Sequence, residues 1–397
     1  MLKTIHSIQS VTDSDLTGQR VLVRVDFNVP LNEGQILDDT RILAVLPTIE
    51  YLTQRKAVVI LVSHLGRPET PFDPAFSLRP IYDYLKKKLV LNIQLLDACV
   101  GDAVDSVIKQ GKGGDVFLLE NIRYYPQEAE NDLSFSKQLA SLADLFVQDS
   151  FGTVHRRHAS TFGVASFLPA YSGLLVDKEL SILTQLLSQP PRPFVAIVGG
   201  SKVSSKLGFL MTLMDQVDYL VIGGAMAYTF LYVQGYGIGR SLFESALCKD
   251  AENILKVARQ KKVSIHLPLD HRVVTDFKAK ETLTVTKDQA IPDSKIGVDV
   301  GPQTIDDIEL LLKQAKTVFW NGPLGVFEED AYAKSTFKVA QLVADSDART
   351  VVGGGDSVAA IHQSGYSDQI DHISTGGGAC LNFIEGKGLP GIEVLER

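Results

Sequence analysis

Eight short runs rich in β-branched and other apolar residues punctuate the chain, separated by stretches whose apolar positions have helical spacing. The first series is VLVRVDF from residue 21, AVVILVS from 57, DVFLLE from 115 and DLFVQD from 144. The second is FVAIVGG from 194, DYLVIGG from 218, TVFWNGP from 317 and TVVGGGD from 350. Runs apolar at consecutive positions suit strands buried on both faces, and strands alternating with helices give parallel sheets covered by helices. Two series therefore predict two α/β domains. Between them DKELSILTQLL, residues 177–187, predicts a helix that Pro190, Pro191 and Pro193 must end, and this is the expected connection.

The length of 397 residues agrees with two or three domains rather than one, and 45% apolar with 22% charged residues exclude disorder of the whole chain. The formal charge of −8 divides into −3 for residues 1–172 and −5 for the remainder, so neither part is basic. Generic binding to nucleic acid or to an acidic membrane surface is not expected, and any anionic ligand must be held by a local cluster of Arg and Lys. The longest uncharged run, Tyr219 to Gly239, is long enough to span a membrane, but its glycines favour a strand, a turn and a buried helix. Cys99, Cys248 and Cys380 have neither disulfide nor zinc spacing, and the opening MLKTIHSIQSVTDSD lacks the pattern of a signal peptide. A reducing, cytoplasmic setting is expected.

Most strands of the second series end in glycine: Gly199-Gly200, Gly223-Gly224, Gly322, Gly353 to Gly355, and then Gly376 to Gly378 further on. Any one of these is an ordinary βα turn; together they suit backbone N–H groups approaching phosphate oxygens at helix N-termini. GGSKVSSKLG sets Lys202 and Lys206 at what the spacing predicts to be the opening of a helix, where two cations gain nothing unless an anion sits there. Asp356 follows three glycines in GGGDSVAA, and it suits either a bound Mg²⁺ shared with phosphate or simply the positive end of a helix. In the first series Arg41 of DDTRI, His64 and Arg67 of SHLGRP, Arg123, and HRRH at 155–158 deliver cations to one sheet edge. That patch fits a small, multiply anionic ligand, with Asp26 and Asn28 of RVDFN beside its hydroxyls. No GxxxxGK[ST] loop, protein-kinase HRD or DFG set, or GxGxxG fingerprint occurs.

RVDFNVP, SHLGRP, LLENIRYYPQE, DSFGTVHRRHAS, GGSKVSSKLG, WNGPLGVFE, GGGDS and STGGGA, in this order over nearly the whole chain, resemble phosphoglycerate kinase. The resemblance implies two Rossmann-like domains, each a parallel sheet covered by helices, facing each other across a cleft. It implies a 3-phosphoglycerate domain at 1–175 with a returning segment at 385–397, an interdomain helix at 176–189 and a nucleotide domain at 190–384. By motif position, Asp26, Asn28, Arg41, His64, Arg67, Arg123 and Arg156 would contact 3-phosphoglycerate or 1,3-bisphosphoglycerate. Lys202, Lys206, Gly297, Asn321, Pro323, Val326, Glu328, Gly354, Gly355, Asp356 and Ser357 would hold ADP or ATP, with Asp356 on Mg²⁺. Arg41, Lys202 and Gly378 would stabilise the transferring phosphoryl group. The implied enzyme is a monomer with small-molecule partners that transfers in line after its domains close, with no nucleic acid or membrane partner.

Four positions depart from the family pattern: Arg157 for a small residue, Gln148 for Asn, and Asn382 and Gly388 where acidic residues are common. Phosphoryl transfer asks for positioning and charge stabilisation rather than a covalent nucleophile, and the ionised acceptor needs no general base. His64, His155 and His158 are accordingly assigned to binding or structure. A nicotinamide-dependent dehydrogenase or a silent nucleotide-binding scaffold are the competing readings; NADH absorbance and a coupled ADP-forming assay discriminate them.

Overall fold

The computed structural model describes residues 5–88 and 92–396; residues 1–4, 89–91 and 397 of the expected first domain lie outside that description. The chain divides into two compact units, Met1–Ile182 with Lys387–Arg397, and Leu183–Gly386. Each carries a parallel sheet assembled from the apolar runs.

In the first unit the strands are β1 (Arg20–Arg24), β2 (Val58–Val62), β3 (Ile93–Leu95), β4 (Val116–Leu118), β5 (Leu145–Gln148) and β6 (Ala170–Ser172). Among the described residues they lie in the order β3-β4-β2-β1-β5-β6, all pairs parallel. Val21 and Val23 of β1, Val59 and Leu61 of β2, Leu118 and Val147 are fully buried in one core. Each such side chain contributes on the order of 1.5–3 kcal/mol by leaving water.

The second unit holds β7 (Phe194–Val198), β8 (Tyr219–Ile222), β9 (Ser264–His266), β10 (His271–Val274), β11 (Thr284–Val285), β12 (Ile296–Val300), β13 (Thr317–Asn321), β14 (Arg349–Val352) and β15 (His372–Ile373). Its parallel sheet runs β9-β8-β7-β13-β14-β15, around a core that includes Val195, Ile197, Val318 and Trp320. A separate antiparallel sheet, β11-β10-β12, does not show in the hydrophobic pattern, because β10 and β11 are short and part polar and β12 is broken up by Gly297 and Asp299. In both parallel sheets neighbouring strands run in opposite chain order on either side of β1 and of β7. The crevice at the carboxyl ends there is where such sheets bind ligands.

The proline-ended helix occupies Leu174–Ser188, opening three residues before its predicted start, and the chain passes from the first unit to the second within it. Asp149, at the end of β5, accepts the N–H groups of Leu175 and Val176 at 2.9 and 3.1 Å and so caps this helix from another element. Residues 219–239 form β8, a glycine turn and the helix Met226–Val233, and among the described residues no helix is long and apolar enough to cross a membrane. The returning segment is tied to the first unit: the Gly391 N–H donates to Val154 O at 2.8 Å, and Ile5 forms an antiparallel bridge with Glu396. Cys99, Cys248 and Cys380 are free thiols.

Candidate active site

Residues Val25 to Asn28 leave the carboxyl end of β1, and the helix Thr40–Gln54 brings Arg41 to them from its first turn. Arg41 Nη1 donates to Asp26 Oδ2 at 3.0 Å and to the Asn28 carbonyl at 3.1 Å. Asn28 Oδ1 accepts the Gly66 N–H at 2.8 Å, which joins the segment after β2 to the segment after β1. Arg123, after β4, donates from Nη1 to the Gly66 carbonyl, and its backbone N–H donates to Asn121 Oδ1. Arg156, after β5, donates from Nε to His155 Nε2 at 3.4 Å. Arg67 is exposed.

These cations act on one another. Burial, then the guanidinium groups of Arg156, Arg24 and Arg67, push Arg123 down to about 10. Burial and Arg67 likewise lower Arg156, and burial with Arg24, Arg123, Arg156 and Arg41 holds His64 well below its ordinary value. Positive groups gathered at the cost of mutual repulsion are an arrangement that an anion would relieve. The structure thus brings Asp26, Asn28, Arg41, His64, Arg67, Arg123 and Arg156 together at one sheet edge.

Behind them lies a buried layer that the sequence reading did not single out. Arg24, only 1% exposed although charged, donates from Nε to Ser160 Oγ at 2.9 Å and meets His64 Nδ1 at 3.3 Å. Ser160 donates its hydroxyl to Glu128 Oε1 at 2.6 Å and its N–H to Oε2 at 2.8 Å. The available signal was the arginine in the middle of the otherwise apolar run VLVRVDF. Two of the departures from the family pattern also find partners: Gln148 spans to the Thr161 carbonyl at 3.1 Å, and the Arg157 guanidinium lies 4.1 Å over the Phe162 ring. A side chain at Gly388 would meet the end of the Glu393 side chain, so an acidic residue there would sit beside a like charge.

In the second unit the helix after β7 opens at Leu207, so both lysines precede it, contrary to the expectation that they begin it. Lys206 occupies the N-cap position and folds its side chain back beneath the strand ends. Its Nζ donates to Gly199 O at 2.6 Å, Asn321 O at 3.0 Å and Asn321 Oδ1 at 2.7 Å. The Lys206 backbone, at φ −128° and ψ 5°, is outside helical geometry. Gly322 has φ +101°, and a Cβ there would run into the Gly199 carbonyl, so this glycine lets the two strand-end turns approach each other beside the Lys206 ammonium. Gly199-Gly200 and Gly322 open onto loops rather than helices, whereas Gly223-Gly224, Gly353 to Gly355 and Gly376 to Gly378 precede the helices Met226–Val233, Gly355–Ser364 and Gly378–Ile384. Burial pushes Lys206 down to about 8, against an upward pull from Asp356. Lys202 is exposed.

Asn321 Nδ2 donates to Gly353 O at 2.8 Å and Ser357 Oγ accepts the Gly322 N–H, so the loops after β13 and β14 are fastened together. Val326 donates its N–H to Val298 O at 2.9 Å, which lays the segment containing Pro323 and Val326 along β12 beside Gly297. A Cβ at Gly297 would run into the Tyr228 hydroxyl. Glu328 is exposed at the end of this segment. Asp356 projects from the first turn of Gly355–Ser364, exposed and without a hydrogen bond among the described residues. A lone carboxylate beside a helix N-terminus and a lysine fits a divalent cation whose remaining ligands are phosphate oxygens and water. No cluster of three or more metal-holding side chains occurs among the described residues.

The family model described as "Phosphoglycerate kinase" matches residues 11–387. The phosphoglycerate kinase of Borreliella afzelii (strain PKo) is 51% identical over 392 residues, and that of Borrelia duttonii (strain Ly) is 52% identical over 390. Each alignment covers 98% of this chain and 100% of the relative. Among solved structures, phosphoglycerate kinase from Coxiella burnetii matches with a TM-score of 0.86 at 40% identity over 99% of both chains. The enzyme from Pyrococcus horikoshii OT3 matches at 0.82 with 29% identity over 98% of both.

Proposed function

The chain belongs to the phosphoglycerate kinase family, glycolytic phosphotransferases that move a phosphoryl group reversibly between 1,3-bisphosphoglycerate and ADP, and on that premise we propose how its residues divide the task. The basic cluster of the first unit takes 3-phosphoglycerate. The observation that carries this assignment is the gathering of Arg41, His64, Arg123 and Arg156, with Arg41 bonded to Asp26 and the cations held near one another against their own repulsion. Lys202, Lys206, Gly297, Asn321, Pro323, Val326, Glu328 and the 354–357 turn take Mg-ADP or Mg-ATP. Arg41, Lys202 and the N–H groups at Gly378 stabilise the transferring group. A coupled assay that follows ADP formation from 3-phosphoglycerate and Mg-ATP tests the whole reading; no turnover by the folded chain would overturn it.

Mg²⁺ neutralises phosphate charge and orients the nucleotide; Asp356 is the protein ligand that fits it. Replacing Asp356 with asparagine is expected to weaken Mg-ADP roughly tenfold while leaving 3-phosphoglycerate binding unchanged, as measured by separate calorimetric titrations. An equal loss for both ligands would mean that Asp356 acts through folding.

Lys206 supplies a second test. Its value of about 8 in the free protein lies below the ordinary 10.5, so near pH 8 about half of the side chain is neutral. A polyphosphate restores the charged form. Nucleotide binding should therefore take up about half a proton at pH 8 and almost none near pH 6.5, which calorimetry in buffers of different ionisation enthalpy reads directly. Lys206→Met should abolish the uptake.

In-line transfer brings the reacting atoms within about 3.5 Å and excludes water, so we assign a closing motion of the two units to the doubly liganded enzyme. Each ligand alone contacts residues of one unit and gives little preference for the closed state. The radius of gyration in solution should fall only when 3-phosphoglycerate and Mg-nucleotide are both bound; equal radii in the free and doubly liganded enzyme would argue against closure. We read the enzyme as a cytoplasmic monomer, in keeping with its three free thiols.

A further inference from the structure

One ring nitrogen of His64 is engaged from behind. Nδ1 lies 3.3 Å from Arg24 Nη2 and 3.7 Å from Asp26 Oδ1, the second distance being beyond hydrogen-bond reach. A guanidinium has donors only and keeps its protons at every pH a protein tolerates. The Arg24 contact is thus a hydrogen bond only if Nδ1 accepts, and the single proton of the neutral ring must then reside on Nε2. No described residue hydrogen-bonds Nε2.

Arg24 has little freedom to do otherwise. It is 1% exposed, donates from Nη1 to the Val25 carbonyl, and donates from Nε to Ser160 Oγ at 2.9 Å. Ser160 is itself gripped at both ends by Glu128, its hydroxyl at 2.6 Å and its N–H at 2.8 Å. The hydroxyl has one proton and gives it to Glu128, so towards Arg24 it can only accept. Every hydrogen-bond direction along the series Glu128–Ser160–Arg24–His64 is therefore fixed.

We propose that Arg24, braced by Ser160 and Glu128, is a positioning residue that locks His64 in its neutral Nε2–H tautomer, so that the imidazole offers the substrate a donor rather than a lone pair. The opposite tautomer would turn a lone pair towards the carboxylate or phosphate oxygens of the ligand and repel them. Burial and the surrounding guanidinium groups keep the ring neutral, which agrees with this geometry. His64 thereby adds a hydrogen bond to the site without adding another cation to a crowded cluster. The proposal rests on the assignment of phosphoglycerate to the first unit.

Nitrogen-15 long-range correlation spectra of the full chain labelled at histidine report the tautomer of each ring, with His64 assigned from the His64→Gln variant. The free enzyme near pH 7.5 should show an acceptor-type Nδ1 and a protonated Nε2. In Arg24→Met the two tautomers should mix, and the Kd for 3-phosphoglycerate should rise about five- to tenfold, the size of one net hydrogen bond, with Mg-ADP affinity unchanged. The double variant with His64→Gln should bind 3-phosphoglycerate no more weakly than His64→Gln alone. A proton on Nδ1 in the wild type overturns the proposal. So does an Arg24→Met protein with the wild-type tautomer and wild-type affinity. If Arg24→Met does not fold, Ser160→Ala removes the brace while leaving both buried charges, and an unmixed Nε2–H signal there overturns the brace. Absence of 3-phosphoglycerate binding by the wild type would overturn the substrate assignment, and with it the donor role, even where the spectrum shows Nε2–H.

Discussion

Replacing Arg41 with lysine is expected to lower kcat about a hundredfold while the KM for Mg-ADP changes little. Arg41 Nη1 is committed to Asp26 Oδ2 and the Asn28 carbonyl, and that attachment sets the plane of the guanidinium. Its other nitrogens remain for the ligand. Lysine keeps the charge but has no planar fork, so it cannot reproduce the fixed geometry in which one nitrogen holds Asp26 while the others face a phosphoryl group. Losing one preorganised donor to developing charge costs roughly 3 kcal/mol, which corresponds to the hundredfold figure. Steady-state kinetics with both substrates varied check it. An unchanged kcat would remove Arg41 from the transition state.

Removing Glu128 should damage the fold rather than the chemistry. The carboxylate is 1% exposed and is the negative group nearest in effect to the buried Arg24 guanidinium. Glu128→Ala leaves that guanidinium with Asp26 as its remaining negative neighbour amid Arg123 and Arg156, and a buried charge stripped of its main partner costs up to about 3–5 kcal/mol. The single tryptophan, Trp320, belongs to the second unit, which separates the readouts. In urea, the far-UV circular dichroism transition of the variant should move to lower denaturant, and the Trp320 fluorescence transition should move less. Arg24→Met combined with Glu128→Gln should be more stable than the sum of the two single changes predicts, because neither charge is then left alone. A wild-type midpoint in Glu128→Ala would show that Asp26 alone compensates the Arg24 charge.

What the sequence made legible follows from length and burial. All eight apolar runs became strands of the two parallel sheets, because a strand covered on both faces must be apolar at every position. Ile93–Leu95, Ala170–Ser172, Ser264–His266 and His372–Ile373, which lie at or near the sheet edges, are two or three residues long, too short for any periodicity. The lysine turn was misjudged for a different reason. Spacing alone places Lys202 and Lys206 on a helix, whereas the three oxygens that capture Lys206 belong to residues 199 and 321, the latter more than a hundred positions away. The layer behind the basic cluster was hidden in the same way. Glu128 and Ser160 stand in motifs that were noticed for other residues, and only the fold sets them on either side of one hydrogen bond.

The three oxygens around Lys206 also bear on how fast a nucleotide leaves. Under the nucleotide role proposed for Lys206 they are a built-in rival for the ammonium: an arriving phosphate would have to displace at least one of them, and a departing phosphate would hand the cation back to partners already in place. Dissociation consequently strands no bare charge beneath the sheet, and the barrier to escape is lowered at the same point where ground-state affinity is reduced. Under the proposed nucleotide role, the lysine's self-solvation thus works against an enzyme that would otherwise hold its own product.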